Sequence, residues 1–187
     1  MFKIRKSVFE TNSSSMHSLV YSKKDRGYTY KLPVDENGVL TLTFGEFGWG
    51  PQILRTPYQK LTYLITDHCY DGDDCDQSPE DLIEDTLNDD WIKRLIESIK
   101  ARCPEVKDVK IALLNSSWYP RGYVDHQSHG TSHGVSPTEL IFSNNIIILI
   151  DNDNNCHFSD YRTRYNFVTG KEEEPVANIE DLFGGSN

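Results

Sequence analysis

The densest group of reactive side chains runs Asp125-His126-Gln127-Ser128-His129-Gly130-Thr131-Ser132-His133. Three histidines and a carboxylate within nine residues supply the donors of a divalent-metal site or of a general acid/base site. Asp125 and His126 are the candidates for proton transfer or for orienting a bound water, with Ser128 beside them. His129 and His133 stand four apart, the spacing of two ligands on one helical face, and are the candidate metal ligands. Gly130 and Gly134, with Ser and Thr between, disfavour a helix there, and no HExxH is present. The competing reading is a solvated loop whose polar residues cap turns.

A second group is Glu10-Thr11-Asn12-Ser13-Ser14-Ser15-Met16-His17-Ser18. Consecutive hydroxyls and backbone amides cradle an anion, and His17 can donate to it or carry a proton. Ser13, Ser14 and Ser15 would hold the anion, with Glu10 and Asn12 as further ligand contacts. The Gly spacing and Lys of a P-loop are missing, so nothing here supports an NTPase. Its competing reading is a turn in which Asn12 and the serines bond local backbone.

Two further segments invite a ligand reading and lose it. Asp151 to Asn155 begins like a calcium loop, but Cys156 and Arg162 stand where Gly and Glu are required, so a turn is the better reading. His68, Cys69 and Cys75 match no structural zinc spacing. No cofactor motif is visible.

The elements that must carry these groups follow from pattern. Tyr28, Tyr30 and Leu32, then Leu40, Leu42 and Phe44, alternate about Asp35-Glu36-Asn37-Gly38, which predicts a β-hairpin. Before it, two strands flank the serine run. Thr56-Pro57-Tyr58-Gln59 opens a helix, and Ser78-Pro79-Glu80-Asp81 opens another. Trp91, Ile92, Leu95, Ile96, Ile99 and Cys103 recur at three and four residues, and Pro104 ends that run. Val109 to Leu114 reads as a buried strand, 115–135 as a long polar loop, and Ser136 to Glu139 as a capping box before a helix to Phe142. Ile146 to Ile150 reads as a central strand, with a partner around His157 to Tyr161. The expected fold is α+β: a mixed or antiparallel sheet packed by two or three central helices. Residues 1–170 form the domain, 67–104 its helical acidic segment, and 171–187 an acidic peripheral tail.

A chain of 187 residues buries a real core, roughly 70% of its unfolded surface. A net charge of −10 argues against a general duplex nucleic-acid binder, which needs Lys and Arg on phosphates. From Asp67 to Asp90 there are eleven Asp or Glu and no Lys or Arg. That face suits a basic partner, or is simply solvated. The four cysteines form no CxxC pair, and no secretory h-region or membrane span is present. Reduced thiols and a cytoplasmic location are expected.

Val8 to Ser18, following Arg5, resembles the N-terminal signature of small proteins encoded by tailed bacteriophages and prophages. Tyr123 to Ser128, Leu140-Ile141-Phe142 and Ile148 to Asn152 resemble later parts of the same pattern. The resemblance implies an accessory protein acting in the cytoplasm of a bacterial host, and it implies no particular chemistry. His129-Gly130-Thr131 is also similar to the nicotinamide-binding tripeptide of ADP-ribosyltransferases, although that motif sits on an apolar strand and this one in a Ser/His/Gly loop.

Two functions follow as expectations. In one, the acidic 67–90 face binds a host protein and the polar motifs are structural networks. In the other, the serine run and the Asp-His-Gln-Ser loop meet at one end of the sheet. They would then bind a nucleotide or another phosphorylated small molecule, with hydrolase or transferase chemistry.

Overall fold

The computed structural model describes residues 15–21, 31–48, 52–70, 77–116, 118–124, 135–152, 164–166 and 171–173. In chain order these form β1 (Ser15–Tyr21), β2 (Val39–Thr43), β3 (Glu46–Phe47), β4 (Gln52–Leu54), α1 (Pro57–Cys69), α2 (Pro79–Asn88) and α3 (Asp90–Arg102). There follow β5 (Asp108–Ala112), β6 (Tyr123–Val124), α4 (Pro137–Phe142), β7 (Ile146–Asn152), β8 (Arg164–Asn166) and β9 (Lys171–Glu173). The fold is α+β, with helices and small sheets of mixed strand direction.

α1, α2 and α4 start at their expected caps, and α3 starts at Asp89, a cap that was not anticipated. Thr56 Oγ1 accepts the Gln59 N–H at 3.2 Å, and Gln59 Oε1 accepts the Thr56 N–H at 3.0 Å, a complete capping box. Ser78 and Ser136 cap α2 and α4 by accepting the Asp81 and Glu139 N–H groups. α1 is enclosed on nearly every side, with Leu61, Tyr63, Leu64 and Ile65 at most 3% exposed. α3 buries the stripe Ile92, Leu95 and Ile99, while α2 buries only Leu82 and Thr86. Each large apolar side chain so enclosed stabilises the fold by roughly 1.5–3 kcal/mol.

β7 runs antiparallel between β1 and β4, with Tyr21 opposite Ile146, Ser15 opposite Asn152 and Gln52 opposite Ile150. Its residues Ile146 to Ile150 are at most 2% exposed, as a strand covered on both faces requires. The strand expected around His157 to Tyr161 lies outside the described residues. Asp151 and Asn152, expected in a turn, are the last residues of β7.

The expected hairpin is present at its turn, and most of its first strand lies outside the described residues. Its turn forms: Asp35 Oδ1 accepts the Asn37 and Val39 N–H groups, and Gly38 takes φ 79°. One antiparallel bridge joins Val34 to Leu40. β2, however, lies parallel to β5, and β3 parallel to β6, both reached by the crossover through α1, α2 and α3. Alternation specifies which side chains share a face and leaves the partner strand open. Tyr28 and Tyr30 lie outside the described residues. β5 is one-sided rather than buried, with Asp108 and Lys110 exposed and Ile111 buried. β6, within the expected polar loop, buries both Tyr123 and Val124. Lys171–Glu173, where the tail was expected to begin, pairs with Arg164–Asn166.

Gly122, at φ 77°, makes β6 possible. A Cβ there would run into the carbonyl oxygen of Gly45, which accepts the Tyr123 N–H at 2.9 Å. Among the described residues no helix is long and apolar enough to cross a membrane.

Candidate functional site

Glu10, Asn12, Ser13, Ser14, Asp125, His126, Ser128, His129 and His133 lie outside the described residues. Ser15 and His17 lie on β1, at the register positions of Asn152 and Ile150. Gln52 of β4 stands across Ile150 from His17. Its Nε2 donates to the Glu46 carbonyl at 3.2 Å, while its Oε1 is buried with no hydrogen-bond partner. Glu46 pairs with Tyr123 and Phe47 with Val124, the residue before Asp125. The chain therefore enters β1, and leaves β6 toward Asp125, through strands linked to the end of β7 that carries Ile150 to Asn152.

Three clusters that the sequence did not single out are well defined. Lys60 is 1% exposed and its Nζ donates to the Ser143 carbonyl at 2.7 Å, at the C-terminal end of α4. Burial lowers its pKa from 10.5 to about 8. The available signal was its place in α1, four residues before the core residue Leu64 and so on the same helical face.

The second cluster joins α1 to α3. His68 Nε2 lies 2.9 Å from Asp89 Oδ1, and the imidazole stacks on Trp91 with ring centroids 4.3 Å apart and planes at 22°. Asp89 also caps α3, accepting the Trp91 and Ile92 N–H groups at 2.9 and 2.8 Å. Burial opposes its charge, but the Ile92 N–H, then His68, then the Trp91 N–H more than offset this and hold the carboxyl below its ordinary range. The chemistry available is an oriented, half-exposed imidazole. Among the described residues no three His, Cys, Asp or Glu side chains gather as a metal would need.

The third cluster is aromatic. Tyr70, Tyr119 and Tyr123 place their ring centroids 5.2 to 6.3 Å apart. Trp118 beside them is 72% exposed. His68 and Tyr70, two residues apart at the end of α1, thus reach Asp89 and Tyr119 respectively.

α2 carries Glu80, Asp81, Glu84 and Asp85 fully on its solvent side. Cys69 and Cys103 are buried thiols, and burial pushes Cys103 up. Comparison of the chain with protein-family models, curated proteins and solved structures returned no match.

Proposed function

We propose that this chain is a non-catalytic interaction protein that docks a basic surface of a host protein on its acidic α2 face. The observation that carries the reading is the division of α2: Leu82 and Thr86 face inward, and Glu80, Asp81, Glu84 and Asp85 face solvent without a Lys or Arg among them. Four like charges on one helix repel each other, so the face is more stable against a cationic partner than alone. The likeness of Val8 to Ser18 to small tailed-phage proteins supports a bacterial protein, met in the host cytoplasm, as that partner. The test is affinity capture from bacterial lysate with the wild-type chain and a Glu84→Lys/Asp85→Lys double variant. A partner held by the wild type should be lost with the double variant and in high salt. A partner held equally by both would sink the reading.

A second reading has one specific observation in its favour. The strand ends leading into Glu10 to Ser14 and out to Asp125 are linked through Gln52, whose Oε1 lacks a donor. A nucleotide or other phosphorylated ligand would be held by Ser13 to Ser15, with His126 and Asp125 moving a proton. Ligand at a hundred times its dissociation constant adds about 2.7 kcal/mol of stability. A thermal-shift screen should therefore show a shift that His126→Ala removes. No shift from any nucleotide removes this second reading.

A further inference from the structure

We infer that the outer edge of β5 is a self-pairing surface, on which a second copy of this chain adds its own β5, antiparallel and centred on Val109. The inference is independent of the acidic face of α2.

The direction in which β2 sends its backbone groups decides which groups of β5 are left over. The Val39 carbonyl accepts the Asp35 N–H at 3.1 Å, and the Val39 N–H reaches Asp35 Oδ1 at 2.8 Å. The Thr41 carbonyl accepts the Tyr58 hydroxyl at 2.8 Å. Val39 and Thr41 therefore face away from β5, and Leu40 and Leu42 are the residues that bond it. In a parallel ladder each such residue bonds the two neighbours of the residue opposite. Leu40 stands opposite Val109 and Leu42 opposite Ile111, so they engage Asp108, Lys110 and Ala112. The Asp108 N–H, 3.4 Å from the Gly38 carbonyl, continues the same phase. Val109 and Ile111 are left with their N–H and C=O groups on the outer edge. Among the described residues β2 is the only strand beside β5. Val109 is half-buried between exposed Asp108 and Lys110, so in a single copy this edge is left to water.

Charge selects the occupant and the register. An open edge accepts extended chains in general, and charged side chains along it are the usual bar. Here the charges are self-complementary. Antiparallel pairing about Val109 sets Asp108 directly opposite Lys110 of the second copy, and Lys110 opposite its Asp108. Val109 exchanges both backbone bonds with the second copy's Val109, and Ile111 faces its Lys107. The neighbouring registers do not match. Centring on Lys110 sets two lysines against each other, and centring on Ile111 sets Asp108 against Leu114 and Lys110 against Ala112. A two-fold axis normal to the sheet keeps the buried residues Leu40, Leu42 and Ile111 of both copies on the same side. The product is one four-stranded sheet in the order β2, β5, β5, β2.

The test is sedimentation of the full chain over a concentration series in about 0.15 M salt, which screens the repulsion between two chains of net charge −10. A monomer–dimer equilibrium is expected. Lys110→Glu should weaken it by about tenfold, because both cross-strand pairs become repulsive, and Asp108→Lys should do the same. Mixing the two single variants should restore association, since each then meets opposite charge on the other. Asp108→Lys/Lys110→Asp in one chain should restore it too. Both side chains are exposed, so the dilute variants should melt with the wild type. In hydrogen exchange the Val109 and Ile111 amides should slow as concentration rises, while the Lys110 amide, already bonded to Leu40, should not. A monomer at every concentration, or a dimer indifferent to both single variants, would overturn the inference. So would a mixture that fails to associate, or a dimer that leaves exchange at Val109 unchanged.

Discussion

Burial of Lys60 against the Ser143 carbonyl lowers its pKa from 10.5 to about 8, which ties the stability of the fold to pH. Below pH 8 the amine is charged in folded and unfolded chains alike, and the full penalty of about 3 kcal/mol weighs on the fold. Above 8 the folded chain releases a proton that the unfolded chain keeps until 10.5, so stability rises with pH. Tyr63 acts oppositely: burial, then Asp67, raise its pKa, so above pH 10 the unfolded chain ionises first and stability falls. Urea unfolding should show a gain of about 2 kcal/mol between pH 8 and 10, reversing at higher pH. Lys60→Met should abolish the gain, and a flat wild-type profile would contradict the burial argument. At this scale the sequence reads poorly. A lysine among apolar residues looks like one on a solvated face, and only the enclosure of α1 shows otherwise.

Elements were far more legible. Thr56, Ser78 and Ser136 each sit three residues before a partner that bonds back, and local bonds of that kind are written locally. Thr56→Ala should cost about 1 kcal/mol in thermal unfolding, with Gln59→Ala adding little once the box is broken. Asp89 separates two roles of one carboxylate. Asp89→Asn keeps an acceptor for the Trp91 and Ile92 amides and loses the charge beside His68. Because its pKa is depressed, the Asp89 charge contributes above its unfolded value of 3.8 and is lost as pH falls through the folded value. The variant should therefore unfold less steeply below about pH 4, while Asp89→Ala loses stability at every pH. What the elements did not reveal was pairing. Leu40 and Leu42 declared a strand with one buried face, and nothing in them pointed to Val109 and Ile111 as parallel partners. Tyr123–Val124, two residues in a polar run, are too few for any period to register.

Across the whole molecule, the parallel pairs β2–β5 and β3–β6 close around α1, and they meet it where Gly122 approaches Gly45 and Thr66. Gly122→Ala combines a disfavoured φ with a backbone collision, and should cost about 3 kcal/mol while dispersing the tyrosine cluster, visible as altered near-ultraviolet circular dichroism. An unchanged melting temperature would mean that β3 and β6 can part without loss. Of the expected site, the strand that follows the serine run was legible as β1, while the strand leading to Asp125 was hidden in a polar run. The aromatic cluster was not legible either, because Trp118 and Tyr119 are exposed for want of neighbours, and sequence spacing does not encode what is missing around a side chain. The register of β1 has one more consequence. Tyr21 pairs with Ile146, so roughly 125 residues must be made between the two. At about 5–20 residues per second, β1 leaves the ribosome and waits on the order of ten seconds for the strand it joins. α1, α2 and α3 have already been made by then, and closing so long a loop is slow beside forming a helix. The three-stranded sheet can thus close only after all four helices have been made, and β1 spends its first moments as an open strand edge.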